Sequence, residues 1–431
     1  MKNRLNCRSL VKSLGLGLLA LVMALSLPGC SGLAGLGGGE PVTLRFVYFQ
    51  NAANYEPLAQ EFNRQNPNIT IELDPVTFSG GGGDPLRAFQ TKAATADAIR
   101  ISTVNLDAQL AAAFLTLDSF IATDNDFPAD DLFSGSLDGM KVSGKLLGLP
   151  AGLNPYVIFY EPAKFQAAGV STPLPGWTLE DFMTLAIALN NSDDSLRGTE
   201  SYMFGFCSHP QFSDPVMFSY LFGGGIFDNL EQISAPTLNT QANIDALTWY
   251  AGMRNEFGVM PPPDSTRYLG ELIVRSNCGF WMDWLDRGNF GRFMGDKEVA
   301  AVPLPIYNAS FSVAVMDTYA ILSTSQHPEE TWKWLRFLMD QPLASGSLVP
   351  PRRSHIESQE FSVQAAPDVV GVARGLPAQT VILGLEMYSD PRLGSVLELY
   401  TDAAIAVLEG EMDAQTALDL AQQKAEQAFG R

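Results

Sequence analysis

Hydrophobic and polar positions alternate along VTLRFVYF (42–49), a run rich in β-branched and aromatic residues, and the period of two predicts a strand. The period then changes. Leu58, Ala59 and Phe62 fall on one face of a helix predicted over 55–65, and Asn66-Pro67-Asn68 ends it before ITIELDPV (69–76), a second strand. Strand, helix and strand in this order imply a parallel pair joined by a right-handed crossover. The pattern continues with a helix over 89–98, a short strand AIRIS (98–102), a helix over 106–114 and an extended run in LLGLPAGLNPYVIFY (146–160). GWTLEDFMTLAIALNN (176–191) predicts a helix with Thr178 as N-cap and Asp181 three residues on. TYAILSTS (318–325) reads as a late strand and HPEETWKWLRFLMDQ (327–341) as a late helix; helices over 402–408 and 414–429 close the chain around Gly410. The pattern is α/β throughout, with no internal repeat.

The N-terminus has a different character. Lys2, Arg4, Arg8 and Lys12 precede an apolar run over 14–27, broken only by Gly15, Gly17 and Ser26. A bilayer span needs about 20 apolar residues; a run of this length fits the apolar core of an export signal. Leu27-Pro28-Gly29-Cys30 resembles the lipobox of bacterial lipoproteins, in which the chain is cut before the cysteine and the thiol receives lipid; Pro28 stands where a small residue is usual. The plain alternative is an ordinary signal peptide that ends near a cysteine. Residues 1–29 are thus expected to be a signal, and 30–41, rich in Gly and Ser, a lipidated Cys30 with a flexible tether.

About 400 residues behind the tether suggest two domains. The signal carries four of the 27 basic residues and none of the 47 acidic ones, so 23 basic residues face 47 acidic and the chain from Cys30 on carries −24. That surface repels phosphate backbones, so nucleic acid is not expected as a partner. Cys7 falls in the signal and Cys30 takes lipid. Cys207 and Cys278 remain; outside the cytoplasm they can pair, or each can be buried alone.

Several chemical signals fail on inspection. SGGGGDP (79–85) is Gly-rich, but Asp84-Pro85 stands where a phosphate loop needs Lys-Ser/Thr, so a loop is expected. DNDFPADD (124–131) lacks the Gly and Glu of a calcium loop, with Ala129 and Gly135 in those places, and reads as a solvated acidic loop. His209, His327 and His355 have no ligand spacing; no metal and no cofactor are expected. No nucleophile elbow or cysteine–histidine signature occurs, and no catalytic constellation is visible.

What the chain does offer is amides and aromatics at loop positions. FQNAANY (49–55) leaves the first strand with Gln50, Asn51 and Asn54, at the strand end where open α/β sheets bind ligands. GFWMDWLDRGN (279–289) sets Trp281 and Trp284 beside Asp283 and Asp286. Aromatic faces stack on sugar rings while carboxylates and amides take the hydroxyls; the alternative is that both rings are core.

These segments resemble the extracytoplasmic sugar-binding proteins of ABC importers, the family that includes maltose-binding protein. TLRFVYFQNAANYEPLAQEFNRQNPNITIEL (43–73) is similar to the family's opening, and GLPAGLNPYVIFYEPAKFQAAGV (148–170) followed by WTLEDFMTLAIAL (177–189) carries the likeness most specifically. DTYAILSTSQHPEETWKWLRFLMDQ (317–341) and VPPRRSHIES (349–358) resemble later segments; Ala96 and Glu161 depart from it, where proline and asparagine are usual.

The resemblance implies a two-lobed periplasmic-binding-protein fold of type II, each lobe a mainly parallel sheet flanked by helices, with a hinge between. Lobe 1 is expected over 42–153 and about 317–380, lobe 2 over about 154–316 and 381–431, with crossings near 151–156, 312–318 and 379–390. By position, Gln50, Asn51, Asn154, Tyr156, Asp214, Trp284, Asp286 and Tyr388 fall on the family's cleft-lining segments, with Trp281 and Asp283 beside them. The resemblance further implies a monomer without enzymatic activity, a carbohydrate ligand, an ABC permease as partner and a cell-surface or periplasmic position. A binding protein for another solute, a sensor subunit and an extracellular carbohydrate-active enzyme are the rival readings.

Overall fold

The computed structural model describes residues 40–430 apart from 78–83, 107, 197–201, 209–213, 231–232, 263–268, 287–294, 296, 378–379 and 386–389. The expected signal and the first part of the tether, residues 1–39, therefore lie outside the described residues, as does Tyr388. Among the described residues no helix is long and apolar enough to cross a membrane.

The strands are β1 (Val42–Phe49), β2 (Ile69–Val76), β3 (Ala98–Ser102), β4 (Lys141–Val142), β5 (Lys145–Leu146), β6 (Leu149–Tyr160), β7 (Phe204–Cys207), β8 (Cys278–Trp284), β9 (Ala300–Val302), β10 (Val313–Ile321) and β11 (Val381–Ile382). One sheet runs in the order β2-β1-β3-β10-β6-β8-β7, with β11 on β10 and β9 on β6; β4 and β5 form a separate hairpin. The expected crossover holds. β1 and β2 pair in parallel along their whole length, Val42 opposite Ile69 to Phe49 opposite Val76, around the helix Glu56–Gln65. That helix buries Ala59 and Phe62, and Asn66 closes it by donating from its side chain to the Phe62 carbonyl at 3.0 Å.

The sheet as a whole is mixed. Parallel pairs lie at its two ends, β2-β1-β3 and β7-β8, while β10 and β6 in the middle run antiparallel to each other and to β3 and β8; β11 pairs with β10 in parallel. These two strands hold both ends together. β6 is buried from end to end; its first half pairs with β10 and its second half with β8 and β9. β10 pairs with β11 and β6 through its first residues and with β3 through its last. The register between β10 and β6 slips between Asp317 and Thr318, a bulge that re-aims the side chains on either side.

Three apolar clusters cover this sheet. One contains Phe46, Phe62 and Trp334, with both smaller rings meeting the indole edge-on at 5.8 and 5.1 Å, and extends to Trp281. A second gathers Phe165, Phe182, Phe206, Phe218 and Phe280 with the C-terminal helices, and a third surrounds Val47, Phe89 and Ile99. Each fully buried ring of this kind contributes roughly 1.5–3 kcal/mol.

Local chemistry moves several boundaries from their expected places. The helix expected over 89–98 is Pro85–Ala93, because Asp84 caps it, accepting from the Leu86 and Arg87 amides at 3.0 and 3.3 Å, with Pro85 in the first turn. The Asp84-Pro85 pair that is wrong for a phosphate loop is thus a helix start. The helix expected over 106–114 is only Ala108–Ala112, since Phe114 turns to bridge Leu322. The late strand expected over 318–325 is β10, Val313–Ile321, and the penultimate helix is Pro391–Leu408, capped by Asp390. The Thr178/Asp181 capping box forms as the spacing predicts.

The segment 124–131 is not simply a solvated loop. Asp124 accepts from Arg336 Nε at 2.7 Å and Asp131 from Arg352 Nε at 2.8 Å, so its acids tie down the helix Pro328–Met339 and the segment after it. Cys207 and Cys278, left open between pairing and separate burial, are joined, with Cα atoms 5.6 Å apart. The bond links neighbouring strands and closes a loop of 71 residues, worth about 4 kcal/mol by the chain-entropy argument.

His355 is buried beside Arg352. Burial first, and the guanidinium next, push it down to about 4 from an ordinary 6.5; Asp131 and Asp340 pull the other way. Between those two values the unfolded chain holds the extra proton, so stability rises with pH across that window. We expect acidification from pH 6.5 to 4 to remove on the order of 2 kcal/mol through this group. Chemical unfolding at stepped pH should show a shallower acid limb in His355→Gln than in wild type. Superimposable limbs would show that His355 is not the group responsible.

Candidate functional site

The carboxyl ends of β1 and β3 open onto a concave surface. Beyond Phe49 the chain turns back, with the Ala52 amide donating to the Phe49 carbonyl at 2.9 Å and the Gln50 amide to Val76 at 3.0 Å. A second turn, 344–348, packs against this one. Gly346 has φ +69°, and a Cβ there would lie 1.8 Å from the Ala52 carbonyl oxygen, so only glycine permits the approach. Between the turns lies a cavity of about 390 Å³ lined by Gln50, Asn51, Asn54 and Glu56 among others. Asn51, Ala52 and Ser347 also line an adjoining cavity of about 120 Å³. Its other walls are Phe49, Arg100, Ile101, Ser102, Asn105, Asp317 and Leu348, and, from the far half of the sheet, Asp286.

Arg100 is the least expected of these. It is 1% exposed, in the middle of the apolar strand AIRIS. Its Nε donates to Asp317 Oδ2 at 2.9 Å, Nη1 to Tyr55 Oη at 2.7 Å and to the Ala344 carbonyl at 2.9 Å, and Nη2 to the Ser345 carbonyl at 2.9 Å. Burial alone would lower its pKa, but the tyrosine and carboxylate partners outweigh that and raise it, so the group stays charged. One side chain thereby ties β3 to β10, to the start of the helix Glu56–Gln65 and to the turn beneath Leu348.

The positions expected from the sequence scatter around this surface. Gln50 and Asn51 are exposed at the cavities, and Asp286 lines the smaller one. Asn154 is buried on β6 and accepts from the Asp286 amide at 3.0 Å, while the Leu285 amide donates to the Pro155 carbonyl at 3.0 Å. The turn that carries Asp286 therefore hangs from the central strand. Trp284 is half-buried and meets Tyr156 edge-on at 5.0 Å. Tyr156 in turn donates to Asp214 Oδ1 at 2.6 Å, and Ser208 donates to Oδ2 at 2.6 Å and bonds Tyr250 at 2.7 Å. Asp214 is only 2% exposed, so it supports Tyr156 from inside the core. Burial, reinforced by the Asp214 charge, raises the Tyr156 pKa well above its ordinary value, and the phenol keeps the proton it donates. Trp281 and Asp283 are each 2% exposed; Trp281 stacks on Phe159 at 5.8 Å in the core. Of the expected residues, then, the cavities bring together Gln50, Asn51 and Asp286.

Sequence reasoning missed Arg100, Ser102, Asn105, Asp317, Ser347 and Leu348. One signal was present: an arginine inside a strand of alanine and isoleucine must find partners, because a buried charge is costly without them. Among the described residues, no group of three or more His, Cys, Asp or Glu is placed to hold a metal ion.

A mixed sheet held at its middle by long shared strands, with a polar concavity between the two ends, is the architecture of two-lobed solute-binding proteins. The profile of the bacterial extracellular solute-binding protein family matches residues 48–342, and the chain belongs to that family of extracytoplasmic binding proteins. Solved structures agree on the fold. An ABC substrate-binding protein from Listeria monocytogenes, in complex with cycloalternan, is 18% identical with a TM-score of 0.65, over 91% of this chain and 100% of that one. The sugar-binding protein MalE of Xanthomonas citri is 17% identical with a TM-score of 0.63, over 90% and 97%. A cyclo/maltodextrin-binding protein complexed with maltotetraose is 16% identical with a TM-score of 0.65, over 91% and 98%.

Asp317→Ala should cost roughly 3–5 kcal/mol in urea unfolding, because it leaves Arg100 buried without its carboxylate. Removing both charges, Arg100→Met with Asp317→Ala, should cost clearly less than the two single losses added together. Additive losses would mean that the pair is not coupled.

Proposed function

We propose that the protein captures a sugar or oligosaccharide between its lobes and delivers it to the membrane permease of an ABC transporter. The observation that carries this is the lining of the smaller cavity. Asn51, Arg100 and Asp317 meet Asp286 from the opposite half of the sheet, and Phe49, Ile101 and Leu348 supply apolar surface between polar groups. Sugars present the same alternation of hydroxyl edge and apolar face. Several solved structures of this fold hold sugars, among them maltotetraose and α-D-tagatose.

In this reading the lobes divide as 42–153 with about 317–380, and about 154–316 with 381–431, and closure bends the strands shared between them. Trp284, braced by Tyr156, offers its face to a ring, and Asn154 holds Asp286 in reach of a hydroxyl. The protein works as a monomer, binds without turnover, and is held to the membrane by lipid on Cys30. Two acyl chains or more make such an anchor stable.

A thermal-shift screen of mono- and oligosaccharides tests the capture, since a ligand at 100 times its Kd adds about 2.7 kcal/mol of stability. With a sugar from the screen, calorimetry on Trp284→Ala should show affinity about tenfold to a hundredfold weaker in a folded protein. Unchanged affinity would take Trp284 out of the site, and a chemically altered sugar recovered after incubation would make the protein an enzyme. For the anchor, Cys30→Ser expressed in a bacterium that processes lipoproteins should leave the membrane fraction; retention there would exclude lipidation at Cys30.

A further inference from the structure

Tyr48 stands near the end of β1 with its ring in the first apolar cluster, stacked on Phe46 at 5.4 Å and edge-on to Tyr55 at 4.7 Å. The residue is 5% exposed, yet its hydroxyl makes no hydrogen bond among the described residues. Tyr55, Tyr156 and Tyr250, at least as deeply buried, all do. A phenol left without a partner in such a place is costly, and buried tyrosine hydroxyls ordinarily find one. Tyr48 lines the larger cavity, together with Gln50, Asn51 and Ser347. Burial foremost, then the neighbouring Tyr55, Glu56 and Asp74, raises its pKa, so the phenol keeps the proton it can donate. The side chains of Gln50, Asn51 and Ser347 also make no hydrogen bond among the described residues. Each of the four both donates and accepts, as a sugar hydroxyl does.

The two cavities share the wall made by Asn51, Ala52 and Ser347. The smaller, about 120 Å³, falls below the roughly 300–1,000 Å³ of ordinary ligand pockets, and the larger, about 390 Å³, falls within it. The smaller one thus has room to grip one end of a ligand, and the larger has room for more of it. We infer that the larger cavity is a second sugar subsite, so that the ligand is an oligosaccharide with one ring at Arg100 and Asp317 and a further ring hydrogen-bonded by Tyr48, Gln50 and Asn51. This rests on the sugar-capture reading above. Tyr48 is the residue that sets the preference for chain length, because a ligand that ends at the smaller cavity leaves its hydroxyl without a partner. Tyr55 joins the two subsites: its ring packs on Tyr48 and its hydroxyl accepts from Arg100 at 2.7 Å.

The test is calorimetry on the purified protein with sugars in length series: glucose to maltotetraose, mannose to mannotriose, xylose to xylotriose and galactose to galactotriose. In a series that binds, the trisaccharide should bind at least about tenfold more tightly than its monosaccharide, the gain of two or so further hydrogen bonds. Tyr48→Phe removes one oxygen that bonds nothing in the protein, so it should unfold in urea as wild type does. It should narrow the ratio of trisaccharide to monosaccharide affinity about threefold to tenfold. Gln50→Ala, at an exposed position, should narrow the same ratio, and the double variant should narrow it further. A monosaccharide that binds as tightly as its trisaccharide would overturn the inference and leave sugar capture standing. So would a ratio that neither variant moves, and so would a loss of stability in Tyr48→Phe, which would show that the hydroxyl serves the fold. No binding in any series would remove sugar capture, and this inference with it.

Discussion

A guanidinium closed off from water organises one half of this protein. Taking an arginine out of solvent costs several kcal/mol unless its donors are met and its charge is paired. Arg100 meets that demand with a carboxylate on β10, a phenol at the start of the first helix and two carbonyls in the 344–348 turn. Four segments far apart in sequence must therefore converge on one point, and their convergence makes the wall of the cavity. A hydrocarbon in the same place could be packed from many directions. A planar fork of donors accepts few, so the charge specifies the geometry even where it adds little to net stability.

The other half reaches the cavity by a lighter connection. Asp286 sits at the end of β8, and its backbone is held by the side chain of Asn154 and the carbonyl of Pro155, both on β6. β6 belongs to both ends of the sheet, so the group that crosses the cavity is suspended from the strand that joins its two sides. In the proposed closure, the side built around Arg100 stays rigid. The Asp286 side moves with few backbone dihedrals, those where β6, β10 and β11 pass between the lobes. Rigid recognition groups on each wall reduce the ordering that binding must pay for.

Much of the architecture was legible in the chain because it rests on local signals. Alternation identified β1 and β2, proline and asparagine stopped the first helix, and the Thr178/Asp181 box marked another. The errors came where one local signal competed with a tertiary one. Asp84-Pro85 was read only against the phosphate-loop pattern, and its capping role moved a helix four residues toward the N-terminus. The candidate site was less legible. GFWMDWLDRGN reads as a loop segment, yet Trp281 and Trp284 stand on β8, three residues apart and so on opposite faces; the structure buries Trp281 against Phe159 and leaves Trp284 half-exposed. Asp317 could not be found from its own segment, since its role depends on a register slip against β6 and on an arginine more than two hundred residues away.

The same contrast separates groups that touch the cavity from groups that hold others in place. Asp214 and Asp317 are both aspartates with neighbouring hydroxyl or guanidinium donors, and residue type alone does not distinguish them. Asp214 has both oxygens engaged, by Tyr156 and Ser208, and is buried beside the second apolar cluster, where it braces Tyr156 against Trp284. Asp317 is bound through one oxygen, at the edge of a bulge, on the wall of a cavity. Saturation of hydrogen bonds is thus the physical property that divides the two. A buried carboxylate whose acceptors are all filled stabilises the scaffold, and one left with an open acceptor at a concave surface is placed to recognise a ligand.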